Sequence, residues 1–403
     1  MTSDVAIQLL FKMSDNLDKI YAEQQLGTEL QEAMTAGQTI GSWAAVKKLV
    51  SAGYGQRYFP VGTQLTANHA DYGTIIFDVV GHDHHKKVGD ETAHTMDLLM
   101  HHVIYNTPFD SKELLWANTT GAELAAGTYN FNAVKSDYNQ DTKEDGQYQL
   151  TTTKAIPAGG GIQHSTMGAW RSSYAQSEVL KGTWTTYDAS GNVIESGLAC
   201  TLGSEGTNLG TVSATAANMV ETIGKLNSTQ RNGYGSNNYK ESNIRQWMNG
   251  ATASGWWTKQ TVFDLPPSYT SRKGFLYAFD TDFKTTLCTV ENTVARNTIF
   301  ETDGTLGSYE AVQDKIYLAS MAELGFGKNG DVAEDSVWEM YDGAGNTDRI
   351  KYDITSQSAA RYWWMRSPYP WNARVARYVY TDGSLDYNYA YYGYGAVAAC
   401  TVG

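Results

Sequence analysis

The chain has 403 residues, too many for one ordinary core, so two or three domains are expected. Charged residues make up 18% and hydrophobic ones 41%, with 39 Gly, 27 Tyr and 7 Pro, which excludes a disordered chain and points to a folded, β-rich and loop-rich one. A net charge of −13, with no basic run and no Gly-rich phosphate loop, argues against a nucleic-acid binder, because phosphate contacts need a basic face.

Residues 3–35 read as helix. Ala6, Leu10, Met13, Leu17 and Ile20 recur at alternating spacings of four and three, a coiled-coil seam about two heptads long. Gly27 weakens this helix, Leu26, Leu30 and Met34 continue its apolar stripe, and Gly37 and Gly41 end it. Ser42 can cap a second helix over Trp43–Ala52. So short a seam rarely holds an oligomer alone, and the segment is read as helping assembly or docking. No signal peptide is expected: Asp4 arrives early, no basic region precedes Val5–Phe11, and Lys12 and Asp15 cut that apolar run. No window approaches the ~20 apolar residues that span a bilayer, so membrane insertion is not expected.

From Tyr58 the pattern turns to strands, with Ile75–Val80 and Thr95–Ile104 the first apolar runs. Residues 112–216 are rich in Thr, Gly and Ala, and Gly127–Ala133, Gln147–Ala155 and Gly182–Tyr187 alternate like strands, the last followed by the turn Asp188–Gly191. This region is expected to be a β-sandwich-like insertion. Helix returns over 213–250, in Ala216–Leu226 and in Ser242–Asn249, where Ser242 or Asn243 can cap.

Chemistry-bearing patterns are few. Gly81-His-Asp-His-His85, with His94, His101 and His102, offers the ligand types of zinc or another transition metal. Its spacing matches no familiar site, so the run is expected to be a structural or solvated loop, with no metal and no cofactor. Cys200, Cys288 and Cys400 form no CxxC pair, and an odd count excludes a complete disulfide framework. Asp280 and Asp282 read as a solvated turn after Phe279. No nucleophile elbow with a Ser/His/Asp set is visible, so no enzyme activity is expected.

The segment from Arg361 differs from everything before it. Nine of the 27 Tyr lie between Tyr362 and Tyr394, interleaved with Gly, Ala, Asn and Ser. Tyr387, Tyr389 and Tyr391 share a strand phase that Tyr392 and Tyr394 break, so many of these rings must be partly exposed. The composition is that of a paratope, in which Tyr supplies rigid amphipathic area and Ser, Gly and Asn supply adaptable hydrogen bonds. The segment holds four Arg, two Asp and no Lys or Glu, net +2 on a chain of −13. Depletion of Lys and Glu beside Tyr, Trp and Arg is also the pattern of interface centres.

Three strings here, Tyr362-Trp-Trp-Met-Arg-Ser-Pro368, Tyr378-Val-Tyr-Thr-Asp-Gly-Ser384 and Gly393-Tyr-Gly-Ala-Val-Ala-Ala-Cys400, resemble a C-type lectin-like domain found in phages and prophages of gut bacteria. Earlier pieces resemble it too: Trp43, Tyr58–Gly62, Phe77–Asp83, Gly235–Tyr239, Ile244–Asn249 and Lys315–Ser320. The resemblance spans most of the chain outside 112–216. It implies an α+β domain with short strands and two helices, built from 58–111 and 217–403. The insertion 112–216 would interrupt it, and a helical segment, 1–57, would anchor or oligomerise it.

Several proteins of that family are the variable proteins of diversity-generating retroelements, in which template adenines are randomised. Carried onto this chain, the resemblance implies a ligand face at 369–394 made of Tyr369, Asn372, Arg374, Val375, Tyr378, Tyr380, Asp386, Tyr387, Asn388, Tyr389, Tyr391, Tyr392 and Tyr394. Trp371 is counted with the face, although no randomised Asn codon yields Trp. These side chains would gather on one solvent face, with Trp363, Trp364 and Val397 packed beneath. Calcium-dependent sugar binding is not implied, because no Glu-Pro-Asn, Gln-Pro-Asp or Trp-Asn-Asp triplet occurs. The expected function is a phage or prophage receptor-binding protein, carried on a virion tail or fibre or released, probing a host surface protein or glycan, as a homo-oligomer, a trimer by analogy with fibres. The alternative is a fibre or decoration subunit with no ligand of its own. Replacing Tyr387, Tyr389 and Tyr391 by Ala is expected to remove binding and leave the fold intact.

Overall fold

A computed structural model describes residues 16–17, 20–21, 23–25, 27–28, 42–134, 146–164, 183–202, 206–213, 233–296, 308–371 and 374–403. The helix Trp43–Ser51 starts where its cap requires: the Ser42 hydroxyl accepts the Ala45 N–H. Asp282, far along the chain, accepts the N–H groups of Trp43 and Ala44 at the same helix end. Its neighbour Asp280 accepts the Phe283 N–H and caps the short helix Thr281–Lys284. The pair expected to be a solvated turn thus supplies two helix caps, of which Asp282 fastens two distant segments together.

The central sheet has five antiparallel strands in the order Gln64–His69, Gly73–His82, Met96–Met100, Ala398–Val402 and Ile316–Leu318. The last strand of the chain thus sits between one strand from before the insertion and one from after it. Every residue of Met96–Met100 and Ala398–Val402 is buried, as befits strands covered on both faces. One hydrophobic core extends from Trp43, Val46, Leu49 and Val50 through Phe77, Val79 and Leu98 to Trp363, Trp364 and Val402. The helix Trp43–Ser51, expected within an anchoring segment, is part of that core.

The α+β expectation is corrected. Among the described residues the chain is mostly β, with 35% strand against 15% helix. Of the two expected helices, one appears as Asn243–Met248, capped by Ser242, while Ala216–Leu226 lies outside the described residues. Other helices, such as Gly55–Tyr58 and Phe275–Ala278, have only four residues, too short to persist without tertiary packing. The insertion is likewise not a sandwich of two sheets. Its strands form one seven-stranded, nearly closed sheet in the order Thr207–Ser213, Gly127–Val134, Gly146–Thr152, Val193–Leu202, Thr183–Tyr187, Gly161–His164 and Trp116–Ala117. Curling suffices because the apolar content is small: Leu115, Leu150, Ile156, Ile162, Trp184 and Cys200 make its main core.

In the N-terminal seam, Ala6, Leu10 and Met13 lie outside the described residues. Leu17 and Ile20 are mostly exposed, as is Tyr21. Gly27, expected to weaken the helix, is buried against the Tyr58 ring, which occupies the space a Cβ would need. All three Cys are unpaired and buried.

Candidate functional site

The candidate surface grows from a three-stranded antiparallel sheet, Trp363–Pro368, Val375–Val379 and Leu385–Tyr389. Its first strand is wholly buried. Trp363 donates its indole N–H to the Arg349 carbonyl at 3.2 Å, and Trp364 donates to that of Thr107 at 3.2 Å. Val397 is buried as well, so this layer packs beneath the hairpin as the resemblance implied.

The loop between the first two strands is closed by the Tyr369 N–H on the Val375 carbonyl (3.0 Å). Buried Asn237 donates from Nδ2 to the carbonyls of Val375 (2.9 Å) and Tyr369 (3.3 Å), and buried Asn329 donates to that of Pro368 (2.7 Å). At the hairpin tip, Asp382 accepts the Ser384 N–H and hydroxyl, while Gly383 takes φ +82 against the Asn346 carbonyl, too close for a Cβ. These bonds hold the backbone of the whole segment, whichever side chains it carries.

Strand register then sorts the side chains. Arg377 pairs with Tyr387 and Tyr378 with Asp386, so successive pairs point to opposite sides of the hairpin. On one side, Tyr369 and Tyr387 stack with centroids 4.3 Å apart, and Trp371 meets Tyr369 edge-on at 5.3 Å. The Arg377 guanidinium lies 4.7 Å from the Tyr369 ring and 5.6 Å from that of Tyr387. Next to this group, Tyr389 stacks on Tyr234 at 4.1 Å, with Arg374 over both rings, and Lys112 sits 4.7 Å over Tyr391, which meets Tyr392.

On the other side, the Tyr378 hydroxyl donates to Asp386 (3.0 Å) and Asn388 donates to the Tyr394 hydroxyl (2.7 Å). Tyr394 rests on Trp364, Tyr362 and Tyr378, and Tyr380 packs on Tyr362. The expectation of one solvent face is thus corrected to two aromatic groups, because a two-residue period cannot keep adjacent positions on one side.

Exposure divides the expected residues further. Trp371, Tyr380 and Tyr387 are 40%, 37% and 45% exposed, and Tyr369, Asp386, Asn388, Tyr389, Tyr391, Tyr392 and Tyr394 are half-buried. Arg374, Val375 and Tyr378 are only 1%, 4% and 2% exposed. Strand Val375–Val379 is central in its sheet and Arg374, just before it, is covered by Tyr234 and Tyr389, so these three support the surface and do not present it. Asn372 lies outside the described residues.

Burial pushes the Tyr369, Tyr378, Tyr391 and Tyr394 phenols above their usual range, so they remain neutral hydrogen-bonding groups at neutral pH. Burial also lowers the Arg377 guanidinium, whose Nε has no hydrogen-bond partner. This surface is equipped to stack on a ligand and hydrogen-bond to it. Sequence reasoning missed Arg377, Tyr362, Tyr234 and Lys112. Arg377 was open to detection by alternation from Val375; Tyr234 and Lys112 come from distant segments and carry no local signal.

A family described as a domain of unknown function, DUF6273, matches residues 215–402. The matched stretch contains the rings of the Tyr surface and its supporting sheet, but not Lys112. No curated protein and no solved structure matches the chain. Among the described residues, no helix is long and apolar enough to cross a membrane.

Proposed function

We propose that this chain is a ligand-binding protein that offers an aromatic surface, centred on Tyr369, Trp371, Arg377 and Tyr387, to a receptor. The observation that carries the reading is the contrast between exposed stacked rings and a backbone fastened by buried Asn237, Asn329 and Gly383. Large rings left half in water, at a position rigidly held, favour association over solubility. The motif resemblance extends the proposal to a phage or prophage adhesin, diversified by a retroelement, recognising a host surface protein or glycan. Assembly, as a trimer in that reading, would use the exposed Leu17, Ile20 and Tyr21.

Deep sequencing of the 3′ end of the gene in a population, with its flanking DNA, is the test. Variation confined to the codons of the ligand-face residues other than Trp371, beside a near-copy carrying adenines there, supports the proposal. An invariant 3′ end without such a copy removes the diversification and leaves an ordinary adhesin or a fibre subunit. Exposed Leu17, Ile20 and Tyr21 would serve assembly in either reading.

A further inference from the structure

The His-rich run after strand Gly73–His82 does not end in solvent. His85 is buried at 3% exposure, and His84 stands beside it with ring centroids 4.8 Å apart. His85 Nδ1 faces the Tyr317 hydroxyl at 3.1 Å and Asp97 at 3.3 Å. His84 Nδ1 faces the Ser336 hydroxyl at 3.3 Å. Both rings are thus held at Nδ1 by outer groups, and both Nε2 atoms are buried without a hydrogen bond. His85 Nε2 lies 3.0 Å from Glu323 and 3.8 Å from Asp335, close for charge attraction but off the hydrogen-bonding direction.

We infer that His84, His85 and Glu323 form a binding site for a divalent transition-metal ion of the zinc class. One ligand atom from each residue lies within 4.8 Å of the others. Ligand bonds of about 2.0–2.2 Å require those atoms to draw together by about an ångström. His84, only partly buried, can supply that movement. An imidazole whose Nδ1 is held by a carboxylate, leaving Nε2 to bind, is the outer-shell arrangement of metal-bound histidine. Charge agrees. Asp97, Glu323 and Asp335 bring three negative charges, and Arg366, bonded to Glu323 at 2.6 and 2.8 Å and to Asp335 at 2.5 Å, returns one. Three carboxylates against one guanidinium make this a place that attracts a cation. Asp335, 19% exposed, leaves a route from solvent and can serve as a fourth ligand. The ion would be structural, tying the 81–85 loop to Glu323 and hence to Arg366, the base of the strand that leads to the Tyr surface. The expectation of a metal-free loop came from spacing alone, and spacing does not contain Glu323.

The test uses the full chain, stripped with a chelator, re-equilibrated with zinc chloride and dialysed. The expected result is about one zinc per chain by mass spectrometry, with a zinc-dependent rise in melting temperature. His84→Ala, at the rim of the cluster, should stay folded by circular dichroism and lose both effects. No retained zinc and no melting shift in the native chain would overturn the inference. Unchanged zinc content in folded His84→Ala would also overturn it, since the ion would then sit elsewhere, as on His94 or His101.

Discussion

Two arginines of one short segment, Arg366 and Arg377, live in opposite environments. Arg366 is wholly buried and held by Glu323 and Asp335, which raise its guanidinium pKa despite burial. Arg377 is held by the rings of Tyr369 and Tyr387, and burial lowers it. The first locks three chain segments into one geometry; the second offers a cation and two rings to whatever approaches. A surface can change its side chains freely when the bonds that shape it are made by residues below.

Arg366→Met attacks the buried half and should have the largest effect. It removes the guanidinium from Glu323 and Asp335, leaving two buried carboxylates with His85 as their nearest cationic group, so a loss of about 3–5 kcal/mol is expected from urea unfolding followed by Trp fluorescence. A loss under about 1 kcal/mol would mean that water already screens this cluster.

His69 extends the contrast to a buried group whose ring makes no ion pair. Its Nδ1 accepts the Asp71 N–H and its Nε2 donates to the Phe275 carbonyl, so the neutral ring is the one bonded. Burial lowers its pKa to about 4 from 6.5, a trend that nearby Asp71 opposes and Lys273 assists. The unfolded chain takes up a proton first as pH falls. The contribution is therefore complete above pH 6.5 and is lost towards pH 4, by about 3 kcal/mol. Stability of the native chain minus that of His69→Gln, followed from pH 8 to 4, should show this limb; a flat difference would place His69 in contact with water.

Gly383→Ala sharpens the view of the hairpin as a rigid support. A residue with a Cβ at φ +82 costs about 1–3 kcal/mol, and the Asn346 carbonyl must also move. Thermal unfolding reads the loss, and binding should fall with it. The double variant Trp371→Ala, Tyr387→Ala should change stability least, by about 1 kcal/mol or less, and binding most. Binding of the labelled chain to a panel of gut bacterial strains, read by flow cytometry, checks it against the native chain. Equal binding by both would move the ligand site off this surface. This pair is a cleaner probe than Tyr387, Tyr389 and Tyr391 together, because Tyr389 also packs on Tyr234.

Much of the local structure was legible. Ser42 and Ser242 cap the helices their positions implied, and the apolar run at 75–80 and the alternating residues at 127–133 and 183–187 are strands. Trp363, Trp364 and Val397 lie beneath the hairpin. The division of the Tyr segment between two sides was not legible as a whole, because Tyr391, Tyr392 and Tyr394 follow the strand and obey no period. Nor was the burial of Arg374 and Tyr378, which depends on strand order.

The sequence by itself determined what is short-range: caps, turn glycines, alternation, and a concentration of Tyr and Arg without Lys or Glu at one end of the chain. These follow from backbone geometry and side-chain chemistry within a few residues. Tertiary structure alone decided that a histidine from the 81–85 run meets Asp97, Tyr317 and Glu323, and that Asp282 caps a helix begun at Trp43. A buried charge is tolerable only beside its partner, and that partner can come from any distance along the chain.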